Sequence, residues 1–156
     1  MPDFSEAPTL QVSRWFNASE PITLESLRGR VVALHAFQML CPGCVAHGLP
    51  QARRMRQVFS GEQFTMIGLH TVFEHHQVMN DDALQVFIDE YRLDFPIGVD
   101  QASGFDGIPK TMNALALRGT PSLVLLDKRG RIRFSHFGQV DDMTLGAVVG
   151  RLLSEN

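Results

Sequence analysis

Val31-Val32-Ala33-Leu34-His35-Ala36-Phe37-Gln38-Met39-Leu40-Cys41-Pro42-Gly43-Cys44 is the stretch that orders the rest of the chain. Its first seven residues form an apolar run with β-branched members. Arg28-Gly29-Arg30 precedes the run, and Cys41-Pro42-Gly43 follows soon after it. Such a run, bounded by turn residues, suits a strand buried on both faces. From about Cys44 to Phe59 no glycine follows Gly48, and Leu49, Ala52, Met55 and Phe59 fall at inward helical positions. The strand therefore feeds a helix, and the two cysteines stand at the junction.

Working outward, Phe64 to Leu69 fits a second strand. Asp81 or Asp82 can cap a helix whose Leu84, Phe87, Ile88 and Tyr91 repeat at i, i+3, i+4, i+7. Ser122 to Leu126, the turn Asp127-Lys128-Arg129-Gly130, and Arg131 to Phe137 read as a β-hairpin; Leu145, Val148, Val149 and Leu152 mark a closing helix. Strands alternating with helices predict an α/β fold with a mostly parallel sheet covered on both faces and an antiparallel edge from the hairpin. Functional sites in such folds lie at the carboxyl ends of strands, where the cysteines fall.

A thiol is a nucleophile only as thiolate, and the N–H groups and partial positive charge at a helix start favour that form. Cys41 is the expected attacker and Cys44, one turn further in, the expected resolver. Pro42 suits a first turn because it has no N–H to orphan, and Gly43 permits close approach of backbone or partner. These are the only cysteines among 156 residues. A bridge between them closes a short loop and gives little entropic stabilisation, which favours a redox role over a structural one. The competing readings of a lone C-x-x-C are half a zinc site or an inert pair. No second C-x-x-C or H-x₃-H is present to complete a zinc site. No metal or cofactor is expected.

The formal charge is −3 with 44% hydrophobic and 20% charged residues, giving an ordinary globular composition without a basic stripe for nucleic acid. No window approaches the roughly 18 apolar residues of a membrane span. Met1 to Glu6 carry acids and a proline rather than a basic start and apolar run, so the expectation is a cytoplasmic protein without an export signal. Residues 1–11 are expected as a loose arm and 12–156 as a single domain, monomeric or weakly dimeric. Gly119-Thr120-Pro121 precedes the hairpin; from local sequence alone an ordinary trans proline opening a strand is the favoured reading.

Ile22-Thr23-Leu24 with Leu27-Arg28-Gly29-Arg30-Val31-Val32, then Cys41-Pro42-Gly43-Cys44, Gly119-Thr120-Pro121-Ser122 and Asp127-Lys128-Arg129-Gly130 together resemble the thioredoxin-like redoxins of the TlpA and thiol-specific-antioxidant (AhpC/TSA) group, from about residue 15 to 153. The resemblance implies a thioredoxin fold: a central mixed sheet with helices on both faces, an added β-hairpin over 12–24, and a helical insertion over 101–116. It implies that Pro121 is cis and packs against the disulfide. Thr120 then offers backbone to a bound substrate, with Leu40, Pro42 and Gly43 completing the contact surface. The implied partners are protein or small-molecule thiols and disulfides, together with an upstream thiol reductant.

The chain departs from the group at three places. Leu40 stands where an aromatic residue, mostly tryptophan, usually precedes the first cysteine, and the only tryptophan is Trp15. His35 stands where classical thioredoxins carry a buried aspartate, six residues before the first cysteine, and His47 where many TlpA-like relatives carry a glutamate, three after the second. Either imidazole could take the Cys44 proton as general base. The plainer readings are a core histidine bonded to backbone for His35 and a solvated residue for His47. His70, His75, His76 and His136 do not form a chelating pattern, since adjacent residues point apart. A peroxiredoxin would place a hydroxyl residue three before its cysteine, where this chain has Gln38. A copper chaperone of the Sco type would use C-x₃-C and a later histidine, where this chain has C-x₂-C and Thr120-Pro121.

Overall fold

The computed structural model describes residues 4–156. Strands β1 (Val12–Phe16), β2 (Val31–Phe37), β3 (Phe64–His70), β4 (Ile97–Asp100), β5 (Ser122–Leu126) and β6 (Ile132–Phe137) alternate with helices α1 (Leu49–Val58), α2 (Asp81–Tyr91), α3 (Lys110–Ala114) and α4 (Asp142–Ser154). The strands form one mixed sheet in the order β1-β4-β3-β2-β5-β6.

The Val31–Phe37 run is the central strand. It pairs in parallel with β3, Val31 opposite Phe64 and Phe37 opposite His70, and antiparallel with β5, His35 opposite Leu123. Val31, Ala33 and Phe37 enter the core formed with α1, α2 and α4, while Val32 and Leu34 enter a second core on the other face. Burial on both faces is why the strand reads as a continuous apolar run rather than an alternation.

The sheet is mixed, as the resemblance implied, but not mostly parallel as the alternation suggested. Only β2–β3 and β3–β4 are parallel among the described strands. The chain leaves β4 at Asp100, and α3, with five residues rising only about 8 Å, does not carry it back along the sheet. It enters β5 from the same end, hence antiparallel to β2.

Three further expectations change. The 12–24 segment holds a strand but no hairpin: β1 pairs antiparallel with β4. The chain turns at Asn17, whose side chain donates to the Leu93 and Phe95 carbonyls at 2.7 and 3.2 Å. Ile22, Leu24 and Leu27 then pack on the second core with Leu115 and Leu117 beyond α3. The 101–116 insertion is helical only over Lys110–Ala114. Tyr91 is exposed and lies tilted against Phe87, centroids 4.5 Å apart, while Leu84 and Ile88 carry the burial of α2.

The arm expected at 1–11 is held down within the described residues. Ala7 N–H donates to Gly130 O at 3.0 Å, and Ile132 N–H to Ser5 O at 2.8 Å. Asp127 anchors the adjoining turn, accepting from the Arg129 and Arg131 N–H groups at 3.0 Å each and from the Arg131 guanidinium at 2.9 Å. Among the described residues no helix is long and apolar enough to cross a membrane.

Candidate active site

Cys41 lies where the loop after β2 turns into the helix, with its N–H bonded to Gln38 O at 3.2 Å and its carbonyl accepting from Val45 N–H at 3.1 Å. The Cys44 N–H points at Cys41 Sγ, 3.2 Å away. This is a helix-start donor aimed at sulfur, the contact that favours thiolate. Cys41 keeps 9% of its surface exposed and Cys44 keeps 0%. Burial pushes the Cys44 thiol up to about 12, and the neighbouring Cys41 thiol adds to the rise; hydrogen bonds from the Gln38 main chain and Thr120 side chain oppose it. The two sulfurs thus differ in access.

The helix behind them opens with a π-helical segment, Cys44–Gly48, before α1. Pro50 has no N–H for the Ala46 carbonyl, and its ring would press on that carbonyl in a regular α-helix. Instead Leu49 N–H reaches back five residues to Cys44 O, giving the wide turn common at functional sites. That turn brings Gly43 and Gly48, five apart, onto one face.

The Thr120–Pro121 bond is cis, and the Pro121 ring packs along this glycine face. A Cβ at Gly43 would lie 3.3 Å from Pro121 Cδ, and one at Gly48 would lie 3.1 Å from Pro121 Cβ. The preceding carbonyl, Thr120 O, accepts from Cys41 Sγ at 3.5 Å. Thr120 and Pro121 therefore close over the cysteine pair from the β5 side, while Pro42 is exposed and Gly43 half-buried. Leu40, 57% exposed, stands next to Cys41 where an aromatic ring was missing.

His35 sits beneath the π-helical turn. A Cβ at Gly48 would meet its Cε1 at 2.6 Å and its Nε2 at 2.9 Å. The residue is 3% exposed, and its enclosed Nε2 meets no hydrogen-bond partner among the described residues. Burial lowers its pKa to about 4, so the ring is neutral near neutral pH. It borders a pocket of about 300 Å³ rimmed by His47, Gln51, Arg54, Pro121 and Asp142. His47 is exposed on this rim. The fold thus brings His35, Pro121 and Gly48 together and leaves His47 at the mouth.

Three other histidines bond to main chain. His70 Nε2 accepts from Met39 N–H at 3.3 Å, His76 shares a hydrogen bond with Gly107 O at 3.0 Å, and His136 with Gln139 O at 3.1 Å. Sequence reasoning missed Gly48, Gln38 and His70 as parts of the site. A glycine inside a helix was the available signal for Gly48. Gln38 and His70 gave none, because their role is to bond to backbone that only the fold brings near.

Residues 1–135 match the AhpC/TSA family. A crystal structure of a thiol-disulfide isomerase from Corynebacterium glutamicum is 51% identical with a TM-score of 0.91, covering 96% of this chain and 98% of that one. A crystal structure of a thioredoxin-like superfamily protein is 50% identical with a TM-score of 0.94, covering 97% of each chain. Protein DipZ of Mycobacterium bovis and of Mycobacterium tuberculosis is 26% identical over 153 residues, 96% of this chain and 21% of DipZ. The chain thus spans about a fifth of the length of the curated relatives it matches. With a thioredoxin-like fold and a family match over most of its length, the chain belongs to the AhpC/TSA family.

Proposed function

We propose that Cys41 and Cys44 are the redox dithiol through which this protein exchanges electrons with the thiols and disulfides of partner proteins or small molecules. The observation that carries the reading is the Cys44 N–H aimed at Cys41 Sγ at 3.2 Å, with the Cys44 thiol itself wholly buried. Cys41 thiolate attacks a partner disulfide, forming a mixed disulfide and releasing one partner thiolate. Cys44 then loses its proton and attacks Cys41 Sγ, forming the Cys41–Cys44 bridge and releasing the second partner thiolate. The reverse sequence oxidises a dithiol, and an upstream thiol reductant regenerates the pair after each reduction.

Thr120 and Pro121 flank the exchange, Thr120 lending its main chain to the partner, with Leu40, Pro42 and Gly43 forming the remaining contact surface. His35 is the residue we assign to receive the Cys44 proton. It is neutral, packs on the helical turn after Cys44 and faces the pocket. Its low pKa means that the proton does not rest there. Gln38, three residues before Cys41, offers a carboxamide rather than a hydroxyl, and its oxygen already accepts from Phe73 N–H at 3.1 Å. That favours disulfide exchange over peroxide reduction.

Equilibration in glutathione buffers, followed by alkylation and mass analysis, tests the reading. It requires one two-electron transition involving both cysteines. A midpoint near about −270 mV makes the protein a reductant and one near about −120 mV an oxidant. Absence of a Cys41–Cys44 bridge across the whole range removes the proposal.

A further inference from the structure

Asp100, the last residue of β4, is 5% exposed and accepts three hydrogen bonds. Thr111 N–H reaches Oδ1 at 2.8 Å; Met112 N–H at 2.8 Å and the Thr71 hydroxyl at 3.0 Å reach Oδ2. Thr111 and Met112 belong to the first turn of α3, whose flanking Pro109 provides no side-chain cap. Asp100 supplies the cap from the neighbouring strand. Beyond α3 the chain runs through Arg118 and Gly119 to Thr120, whose carbonyl meets Cys41 Sγ at 3.5 Å.

The same carboxylate is tied to the other side of the site. Thr71 gives its hydroxyl to Asp100 and its N–H to Phe37 O at 3.0 Å. His70 and Phe73, on either side, bond to Met39 N–H and to the Gln38 side chain, and Gln38 O in turn holds Cys41 N–H. The loop that presents Cys41 and the segment that presents Thr120 are far apart in sequence. Asp100 is hydrogen-bonded to Thr71 on the one side and, on the other, to the first turn of α3, from which eight residues of chain lead to Thr120.

We propose that Asp100 is a positioning residue for thiol exchange: it sets the Thr120 main chain against Cys41, so that a polypeptide lying along Thr120 delivers its disulfide to Sγ. The proposal rests on Cys41 as the attacking thiol. An asparagine at this position has one accepting oxygen instead of two, so it leaves Thr111 or Met112 N–H unpaired in a buried place and loosens α3. A small disulfide that needs no main-chain guide should be nearly indifferent to this change. A peptide should not.

Two probes with the same leaving group separate these cases: a linear peptide whose single cysteine is capped as a 2-thiopyridyl disulfide, and 2,2′-dithiodipyridine. Both are read by thiopyridone release from Cys44→Ser protein. Adding Asp100→Asn should slow the peptide about tenfold and the small disulfide less than about twofold, because misplacement penalises guided reactions most. Thr71→Val should shift the ratio in the same direction by less. Asp127→Asn, a buried aspartate at the far hairpin turn, should destabilise the fold while leaving the ratio unchanged. Equal slowing of both probes, or the same ratio change in Asp127→Asn, overturns the proposal. Failure of the parent Cys44→Ser protein to react with either probe strikes instead at Cys41 as nucleophile.

Discussion

The Cys44 N–H lies 3.2 Å from Cys41 Sγ, while the Cys44 thiol itself is buried. One consequence is a difference in reactivity. Iodoacetamide added to the reduced native protein near neutral pH should label Cys41 alone, because the Cys44 thiol is pushed up to about 12 and enclosed. Peptide mapping by mass spectrometry checks this, with a second adduct expected only in denaturant. Equal native labelling of both sulfurs contradicts it.

Gly48 and His35 form a steric pair. Ala at position 48 would place a methyl 2.6 Å from His35 Cε1, so Gly48→Ala should cost about 1–3 kcal/mol by overpacking, despite alanine's better helix propensity. Combining it with His35→Ala should recover part of the loss, giving a favourable coupling of about 1 kcal/mol in urea unfolding. Strictly additive costs would mean that the two residues do not share that space.

If His35 receives the proton, the two chemical steps separate. His35→Leu keeps the site filled with an apolar side chain and removes the imidazole. Resolution of a preformed Cys41 mixed disulfide should slow by about 100-fold, the scale of a lost general base, while the initial attack by Cys41 is unchanged. Single-turnover kinetics measures both, and equal effects on the two steps would exclude the role.

Acid sensitivity follows from two buried imidazoles. Burial lowers the folded-state pKa values of His35 and His70 from 6.5 to about 4. The unfolded chain therefore binds protons first as pH falls. Their contribution to stability is complete above about pH 6.5 and is lost progressively as pH drops toward 4. His70→Gln can still accept the Met39 N–H bond without gaining charge. It should lose less melting temperature than wild type between neutral pH and about pH 4.5, as thermal scans would show.

Much of this site was legible in the sequence because it rests on local chemistry. The Val31–Phe37 run, the cysteine pair at a helix start and the inward faces of α1 and α4 follow from periodicity and turn residues alone. Other features depended on distant partners. Strand β4 has only four residues and little signal of its own, and the antiparallel course of β5 depends on how the chain returns after α3. The resemblance, rather than the local sequence around Thr120-Pro121, implied the cis bond that the structure contains. For His35, the expectation of a core histidine bonded to backbone met an Nε2 without a partner among the described residues. Its burial was foreseeable from the strand, but its contact with Gly48 required the π-helical turn that Pro50 imposes.

The central claim is that Cys41 attacks and Cys44 resolves. Its most direct test is mass spectrometry of single-cysteine proteins exposed to a peptide disulfide. Cys44→Ser should accumulate a mixed disulfide on Cys41, and Cys41→Ser should accumulate essentially none. Equal trapping in both variants, or trapping only in Cys41→Ser, would contradict the account.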